Sequence, residues 1–123
     1  MIGYVTIGTN DLQGSASFYD GLMSEIGAVR VMDTEKAIMW GTAMDAPGLV
    51  LISPFDGNPA TVGNGMMVAL LLDSPEKVAA MHARAIELGG VDEGAPGARG
   101  EGGFYCGYCR DLDGNKLNLY CMT

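Results

Sequence analysis

The sequence is poor in residues on which several functions depend. Its 123 residues include one histidine, three cysteines and only seven Lys and Arg, against fifteen Asp and Glu, which gives a net charge of −8. Because there is no basic stripe to hold a phosphate backbone or an anionic membrane surface, we expect neither nucleic acid nor a membrane as a partner. Three cysteines cannot all pair within one chain, so their number favours a reducing compartment, the cytoplasm.

Long apolar segments are also missing. No apolar run approaches the roughly 20 residues that span a bilayer. The first residues, MIGYVTIGTNDL, lack the basic and the cleavable apolar parts of a signal peptide. A length of 123 residues with 48% hydrophobic residues suits one domain with one core. We therefore predict a single cytoplasmic domain that spans residues 1–123.

What the sequence does contain is an internal repeat. Residues 4–27 align without a gap on residues 67–90. Each copy begins with an apolar run that is typical of a strand, and continues into a segment with helical spacing of apolar residues that ends at glycine. The second helix begins at the capping sequence Ser74-Pro75-Glu76, and Asn10 or Asp11 caps the first.

Shorter extended segments follow each helix and complete two similar halves. The predicted strands are residues 28–33, 36–42, 48–55, 102–110 and 116–122. Each half is therefore predicted as a strand, a helix and three strands, with module one at 1–55 and module two at 66–123. Turn-forming residues 56–65 link the modules. The glycine-rich segment 93–103 is predicted as a flexible loop that could close over a ligand.

This order of elements, together with four segments, resembles the vicinal oxygen chelate superfamily of glyoxalase I, bleomycin-resistance proteins and extradiol dioxygenases. The four segments are YVTIGTNDLQGSASFYDGLM, ISPFDGNPATVGNG, VDEGAPGARG and YCRDLDGNKLNL. The resemblance implies an α+β fold in which two tandem βαβββ modules pair into a half-open mixed-sheet barrel with a cupped surface. It also implies a homodimer, which we expect for this chain.

The metal site implied by the resemblance lacks its usual ligands here. Metal-dependent members carry His and Glu on the first and last strands of each module, and those positions fall on Tyr4, Val50, Met67 and Asn118. A phenol, an aliphatic chain, a thioether and a neutral amide are poor ligands for a hard divalent ion at neutral pH. The only histidine, His82, is predicted to face solvent on the second helix. We therefore predict neither a metal nor another cofactor.

The pair Cys106 and Cys109, spaced C-x-x-C, is compatible with a metal clip, a redox pair or two thiols of a strand. In a strand the two side chains point to opposite faces, whereas a zinc site needs both sulfurs on one side and two further ligands. A redox C-x-x-C sits at a helix N-terminus, and here aromatic strand residues surround it. We interpret the pair as structural thiols, and Cys121 as a small core hydrophobe.

The cupped surface predicts a ligand pocket even without a metal. Its predicted lining is Tyr4, Met67, Asn118 and Tyr120, with Trp40 and Met39 competing to face inward and Arg99 available to pair with a carboxylate or phosphate. Each of these residues also has an interpretation without a ligand. The methionines and Trp40 could fill the core, and Arg99 could be solvated. Asn118 is the most informative, because a buried amide needs a partner, either Tyr4 or a ligand.

Three functional hypotheses follow. The first is a metal-free protein that binds a small molecule, a metabolite or an antibiotic, as in the bleomycin-resistance branch; the net charge favours a cationic ligand and Arg99 an anionic one. The second is a lyase, isomerase or dioxygenase of the lactoylglutathione-lyase type, which uses a metal through atypical ligands or acid–base catalysis by Tyr4. The third is a regulatory or interaction module.

Overall fold

The computed structural model describes all residues from 1 to 123. They form eight strands and two helices. In chain order these are β1 (Tyr4–Gly8), α1 (Leu12–Ser24), β2 (Val29–Asp33), β3 (Ala37–Gly41), β4 (Gly48–Ile52), β5 (Val68–Leu71), α2 (Pro75–Glu87), β6 (Val91–Ala98), β7 (Phe104–Arg110) and β8 (Lys116–Met122). Neither helix has both the length and the apolar character needed to cross a membrane.

Each βαβββ module forms its own four-stranded sheet. The strand order is β1-β4-β3-β2 in the first sheet and β5-β8-β7-β6 in the second. In both sheets the first strand of the module runs parallel to the last, and all other neighbours are antiparallel. The predicted α+β fold of two tandem βαβββ modules is confirmed. The two sheets do not close into a barrel, and β1 and β5 each lie at a sheet edge.

The helix boundaries follow the capping signals of the sequence. Asp11 caps α1 by accepting a hydrogen bond from the Gly14 N–H at 3.1 Å, and Ser74 caps α2 in the same way. Beyond the helices, Gly27 and Gly89 adopt φ angles of +71° and +103°. Only glycine enters this region without strain, so these two positions end the helices and turn the chain into the next strand.

One helix packs on one face of each sheet and supplies the core. α1 contacts β2, β3 and β4, α2 contacts β6, β7 and β8, and the two helices contact each other. The buried stripe of α1 includes both Phe18 and Tyr19. Trp40 of β3 is fully buried, with its ring centroid 5.5 Å from that of Tyr19. The first module is therefore built around an aromatic cluster.

The predicted flexible loop at 93–103 is wrong over most of its length, because β6 occupies residues Val91–Ala98. β6 is an edge strand with two register shifts against β7, on either side of Gly94. Glycine and proline weaken the strand signal in a sequence, yet an edge strand tolerates both. Arg99 follows directly, and its backbone N–H donates to the Phe104 carbonyl at 2.8 Å, so this end of β6 is fixed.

His82 is buried, contrary to the prediction that it faces solvent. It is 7% exposed, and its Nε2 lies 3.1 Å from Asp92 Oδ1 and 3.2 Å from the Tyr108 carbonyl oxygen. His82 follows Val78 by four residues, which places it on the buried stripe of α2. Gly107 of β7 leaves room for the ring, since a Cβ there would lie 3.0 Å from the imidazole. The histidine therefore joins α2 to β6 and β7.

The turn between β7 and β8, residues 111–115, ties the two modules together, and we call it the Asp111 turn. The buried Asp111 carboxylate accepts hydrogen bonds from the Tyr19 hydroxyl at 2.6 Å and from the Asn115 N–H at 2.8 Å. The Asn115 amide donates to the Gly8 carbonyl at 2.9 Å. Burial, and then the Asp111 charge, raise the pKa of the Tyr19 phenol well above its ordinary value, so it remains a donor at neutral pH.

Candidate functional site

Strand alternation gives each sheet one face that meets a helix and one face that does not. In β8, Leu117, Leu119 and Cys121 are buried toward α2, so Asn118 and Tyr120 point to the opposite side. Strand register adds the residues of β5 and β7 that share this side. We call it the open face of the second sheet; it consists of Met67, Ala69, Leu71, Phe104, Cys106, Tyr108, Arg110, Lys116, Asn118 and Tyr120.

Four of the six predicted ligand residues meet at this open face. Met67, Asn118 and Tyr120 belong to it by register. Arg99 reaches it from the end of β6, and its guanidinium carbon lies 5.9 Å from the centroid of the Tyr108 ring. The structure thus groups residues that stand up to 53 positions apart in the sequence, from 67 to 120.

The other two predicted residues lie elsewhere. Tyr4 belongs to the open face of the first sheet and is 63% exposed. Trp40 points to the opposite side, into the core, where its Nε1 donates to Asp20 Oδ1 at 2.9 Å. The hydrogen bonds from Arg30, and to a lesser extent that from Trp40, lower the pKa of Asp20. Of the two residues that compete to face the cup, Met39 lies on that side and Trp40 does not.

Asn118 is the polar residue at the centre of the open face. It is 4% exposed, and its Oδ1 is the only buried side-chain oxygen or nitrogen that lacks a hydrogen-bond partner. The bond to Tyr4 that the sequence suggested is not formed. Its neighbours in the sheet are Tyr108 on β7 and Ala69 on β5. A buried unpaired acceptor costs about 1–3 kcal/mol, so this amide is poised to bind a donor.

Two further candidate residues, Tyr108 and Lys116, were missed by sequence reasoning. The Lys116 ammonium lies 5.2 Å from the centroid of the Tyr108 ring, which Arg99 also approaches. Lys116 stands two residues before Asn118 on the same strand, and Tyr108 pairs with Asn118 across the hairpin. Alternation and hairpin register were therefore the signals that place both residues beside Asn118.

Two cavities adjoin these residues. One of about 500 Å³ is lined by residues 62–67 together with Arg110 and Lys116. The other, of about 710 Å³, is an apolar cleft between the edge strands β1 and β5 that Trp40 and Met67 both line. Both volumes fall in the range of about 300–1,000 Å³ that is usual for small-molecule sites. The smaller one is polar and opens beside the open face, whereas the larger one runs along the seam between the modules.

The donor atoms at the positions implied for a metal do not suit a divalent ion. Tyr4 offers a phenol, Val50 an alkyl group, Met67 a thioether and Asn118 one amide oxygen. Divalent metals in enzymes take imidazole, carboxylate or thiolate ligands, of which this set has none. No group of three or more His, Cys, Asp and Glu side chains comes close enough to hold a metal ion elsewhere in the chain. The residues present therefore do not fit the metal of the metal-dependent relatives.

The thiols have the arrangement that strand alternation predicts. Cys106 lies on the open face and Cys109 on the helix side of β7, and both are free and buried, as is Cys121. Burial first, and then the charges of Asp111 and Asp92, raise the pKa of Cys109 to about 12. A thiol that keeps its proton is a poor nucleophile, so Cys109 does not suit the attacking role in a redox pair.

Similarity to known proteins agrees with this architecture. The sequence profile of the Glyoxalase/Bleomycin resistance protein/Dioxygenase superfamily matches residues 1–119. A glyoxalase/bleomycin resistance protein from Albidiferax ferrireducens T118 is 34% identical, with a TM-score of 0.92, over 100% of this chain and 99% of that one. No curated protein matches the chain.

More distant solved structures share the fold. A glyoxalase-related enzyme from Fulvimarina pelagi is 23% identical, with a TM-score of 0.76, over 98% of this chain and 87% of that one. A lactoylglutathione lyase from Agrobacterium tumefaciens is 19% identical, with a TM-score of 0.70, over 98% and 92%. On the match over almost its whole length, the chain belongs to the glyoxalase/bleomycin resistance protein/dioxygenase superfamily.

Proposed function

We propose that this protein binds a small organic molecule on the open face of the second sheet and does so without a divalent metal. The observation that carries the proposal is the unpaired, buried Oδ1 of Asn118. The rest of the open face supports the same conclusion, because it combines apolar and aromatic side chains with Arg110 and Lys116, and small-molecule sites combine an apolar lining with a few polar groups. Methionine and tyrosine side chains adapt well to planar or apolar ligands.

A thermal-shift screen tests the proposal. Purified protein is heated with a panel of metabolites, phenols, carboxylic acids and antibiotics, in parallel with N118L and with N58L. Asn58 is an exposed linker residue, so its variant controls for the loss of an amide as such. We expect at least one compound to raise the Tm of the wild type and of N58L but not that of N118L. A panel in which every compound acts on N118L as on the wild type would contradict the proposal.

The alternative is a lyase, isomerase or dioxygenase that holds a metal through atypical ligands. Metal analysis after dialysis decides between the two, because a catalytic metal remains bound to a built site. We expect far less than one metal ion per chain. About one Ni, Zn, Mn or Fe per chain would overturn the metal-free proposal and favour the enzyme.

We further propose a homodimer in the cytoplasm. Large apolar side chains are exposed on the edge strands β1 and β5, among them Tyr4 at 63% and Leu71 at 65%. A second copy would cover them and would pair with the strand edges. Three free and buried thiols, with no disulfide, support a reducing compartment.

A further inference from the structure

We propose that the ligand of the open face is an organic anion, a carboxylate or phosphate carried on a planar apolar group, bound at the Tyr108 ring by Lys116 and Arg99. The inference rests on the proposed function and adds the chemical class of its ligand. The net charge of −8 alone favours a cationic ligand, so the argument depends on where the few cations of the chain lie.

Arg99 is the only one of the four arginines that has no carboxylate partner. Arg30 pairs with Asp20 and Asp33, and the two remaining arginines each pair with a glutamate. Although the chain has fifteen acids, they pair with the other three arginines and leave this guanidinium without a counter-ion. Its position over the open face leaves it available for an anion from outside.

Backbone carbonyl groups and two glycines hold the Arg99 guanidinium in place. Its Nη2 donates to the Ala95 carbonyl at 2.7 Å, and Nη1 lies within 3.5 Å of the Ala98 carbonyl oxygen. A Cβ at Gly97 would come within 3.0 Å of Nη1, and one at Gly94 within 3.7 Å of Nη2. Glycine at these two positions of β6 therefore makes room for the guanidinium beside the sheet. A fixed guanidinium loses little entropy when it binds an anion.

Lys116 gives the second positive charge, on the same aromatic ring. Its ammonium lies 5.2 Å from the centroid of the Tyr108 ring, and the guanidinium carbon of Arg99 lies 5.9 Å from it. Tyr108 is not their counter-ion, because a hydrogen bond with Cys106, followed by burial, raises the pKa of its phenol. Lys116 forms no ion pair in the structure. Two cations thus share one neutral ring and no carboxylate.

The polar cavity of about 500 Å³ supplies the space. Arg110 and Lys116 line it together with the glycine-rich residues 62–67, and its lining contains no Asp or Glu. Lys116 is the cation of this cavity that has no carboxylate partner, because Arg110 pairs with Glu93, and Arg99 lies outside the lining, on the Tyr108 ring. The planar part of the ligand then lies over the apolar and aromatic residues of the open face.

Asn118 offers the ligand a second polar contact, besides that with Lys116. Lys116 and Asn118 are two residues apart on one strand, so their side chains leave the sheet about 7 Å apart. This is close to the length of a six-membered ring with its substituents. A planar anion that carries a hydroxyl at its far end would meet Lys116 with its charge and donate to Asn118 Oδ1, which has no other partner.

Binding of matched probes tests the inference. The probes are 4-hydroxybenzoate, 4-hydroxyphenyl phosphate, the neutral 4-hydroxybenzamide and the cationic 4-hydroxybenzylamine, measured by calorimetry with the wild type, K116M, R99M and K36M. Lys36 is exposed, lies in the β2–β3 turn and controls for the loss of one charge. We expect at least one anion to bind more tightly than the amide, and K116M and R99M each to weaken it about tenfold, as for loss of a charge-assisted hydrogen bond. K36M should bind as the wild type does.

The outcomes separate this inference from the proposed function. If the amide or the amine binds as tightly as both anions, and N118L, measured in the same way, loses that binding, the anion is wrong and the small-molecule site stands. If the anions bind equally to K116M, R99M and the wild type, or not at all, the inference is overturned. The two anions together decide between a carboxylate and a phosphate.

Discussion

Among single residues, Asn118 is the one whose replacement we expect to stabilise the fold. Its Oδ1 is buried without a partner, and replacing such a group by an apolar one removes a desolvation penalty of about 1–3 kcal/mol. N118L should therefore raise the free energy of unfolding, measured by urea denaturation, by about 1 kcal/mol. A residue kept at a cost to stability indicates a functional role.

Asn115 is the matched comparison for this prediction. Its amide is partly buried, but it donates to the Gly8 carbonyl and to the Asp111 carboxylate, both at 2.9 Å. N115L should lower the free energy of unfolding by about 2 kcal/mol, since it removes both of these hydrogen bonds, while the Asp111 carboxylate keeps the bond from the Tyr19 hydroxyl. If N118L is as destabilising as N115L, the Asn118 oxygen has a partner in solution and the site loses its main support.

The thiol of Cys109 predicts a loss of stability at alkaline pH. Its pKa rises from the ordinary 9.0 to about 12 in the fold. The unfolded chain therefore loses this proton first, so the contribution is fully present below pH 9 and is lost as the pH rises toward 12. This rise in the pKa corresponds to about 4 kcal/mol in the free energy of unfolding. C109A should lose less stability than the wild type between these pH values, as measured by urea denaturation.

Side chains were predictable where alternation had only one solution. The opposite faces of Cys106 and Cys109 follow from a strand, and the burial of Asn118 follows from its apolar neighbours. The sequence did not decide to which face of the sheet Trp40 points. β3 is apolar on both faces, so the alternation of its side chains does not show which face meets the core. The prediction that His82 faces solvent was wrong because its imidazole bonds to Asp92 of β6, and the helical spacing of residues gives no sign of such a contact.

Among the elements, the Asp111 turn should contribute most to stability for its length. D111A would leave the Tyr19 hydroxyl and backbone N–H groups of the turn without their acceptor, at a cost of about 3 kcal/mol in the free energy of unfolding. Asp45 is exposed in the β3–β4 loop, and D45A should change this free energy by less than about 0.5 kcal/mol. Urea denaturation checks both. Equal effects of the two variants would show that the turn does not hold the modules together.

The sequence predicted the elements with strong local signals and missed the one without. Both helices begin at their capping residues and end before glycine, because these signals act within one turn of chain. The sequence predicts a loop in place of β6 because the glycines and the proline hide the alternation of apolar and polar side chains. Its strand conformation comes from pairing with β7, which is a tertiary contact.

For the whole molecule, we expect a dimer that uses the exposed edge strands. Leu71, 65% exposed on β5, lies within this surface, whereas Phe55, 98% exposed, lies outside any strand. Sedimentation should give twice the mass of the chain for the wild type and for F55R, and a shift toward the mass of one chain for L71R, because a buried charge opposes association. A wild type that sediments as one chain at high concentration would contradict the dimer.

The Asp111 turn also has a consequence for how the chain matures on the ribosome. Tyr19 and Gly8 precede their partners in the turn by 92 and 107 residues and are synthesised well before them. In a nascent first half these polar groups therefore have no partner until the turn has emerged. A chain that ends before the turn should be unstable in its first half as well, so that the two duplicated halves fold together.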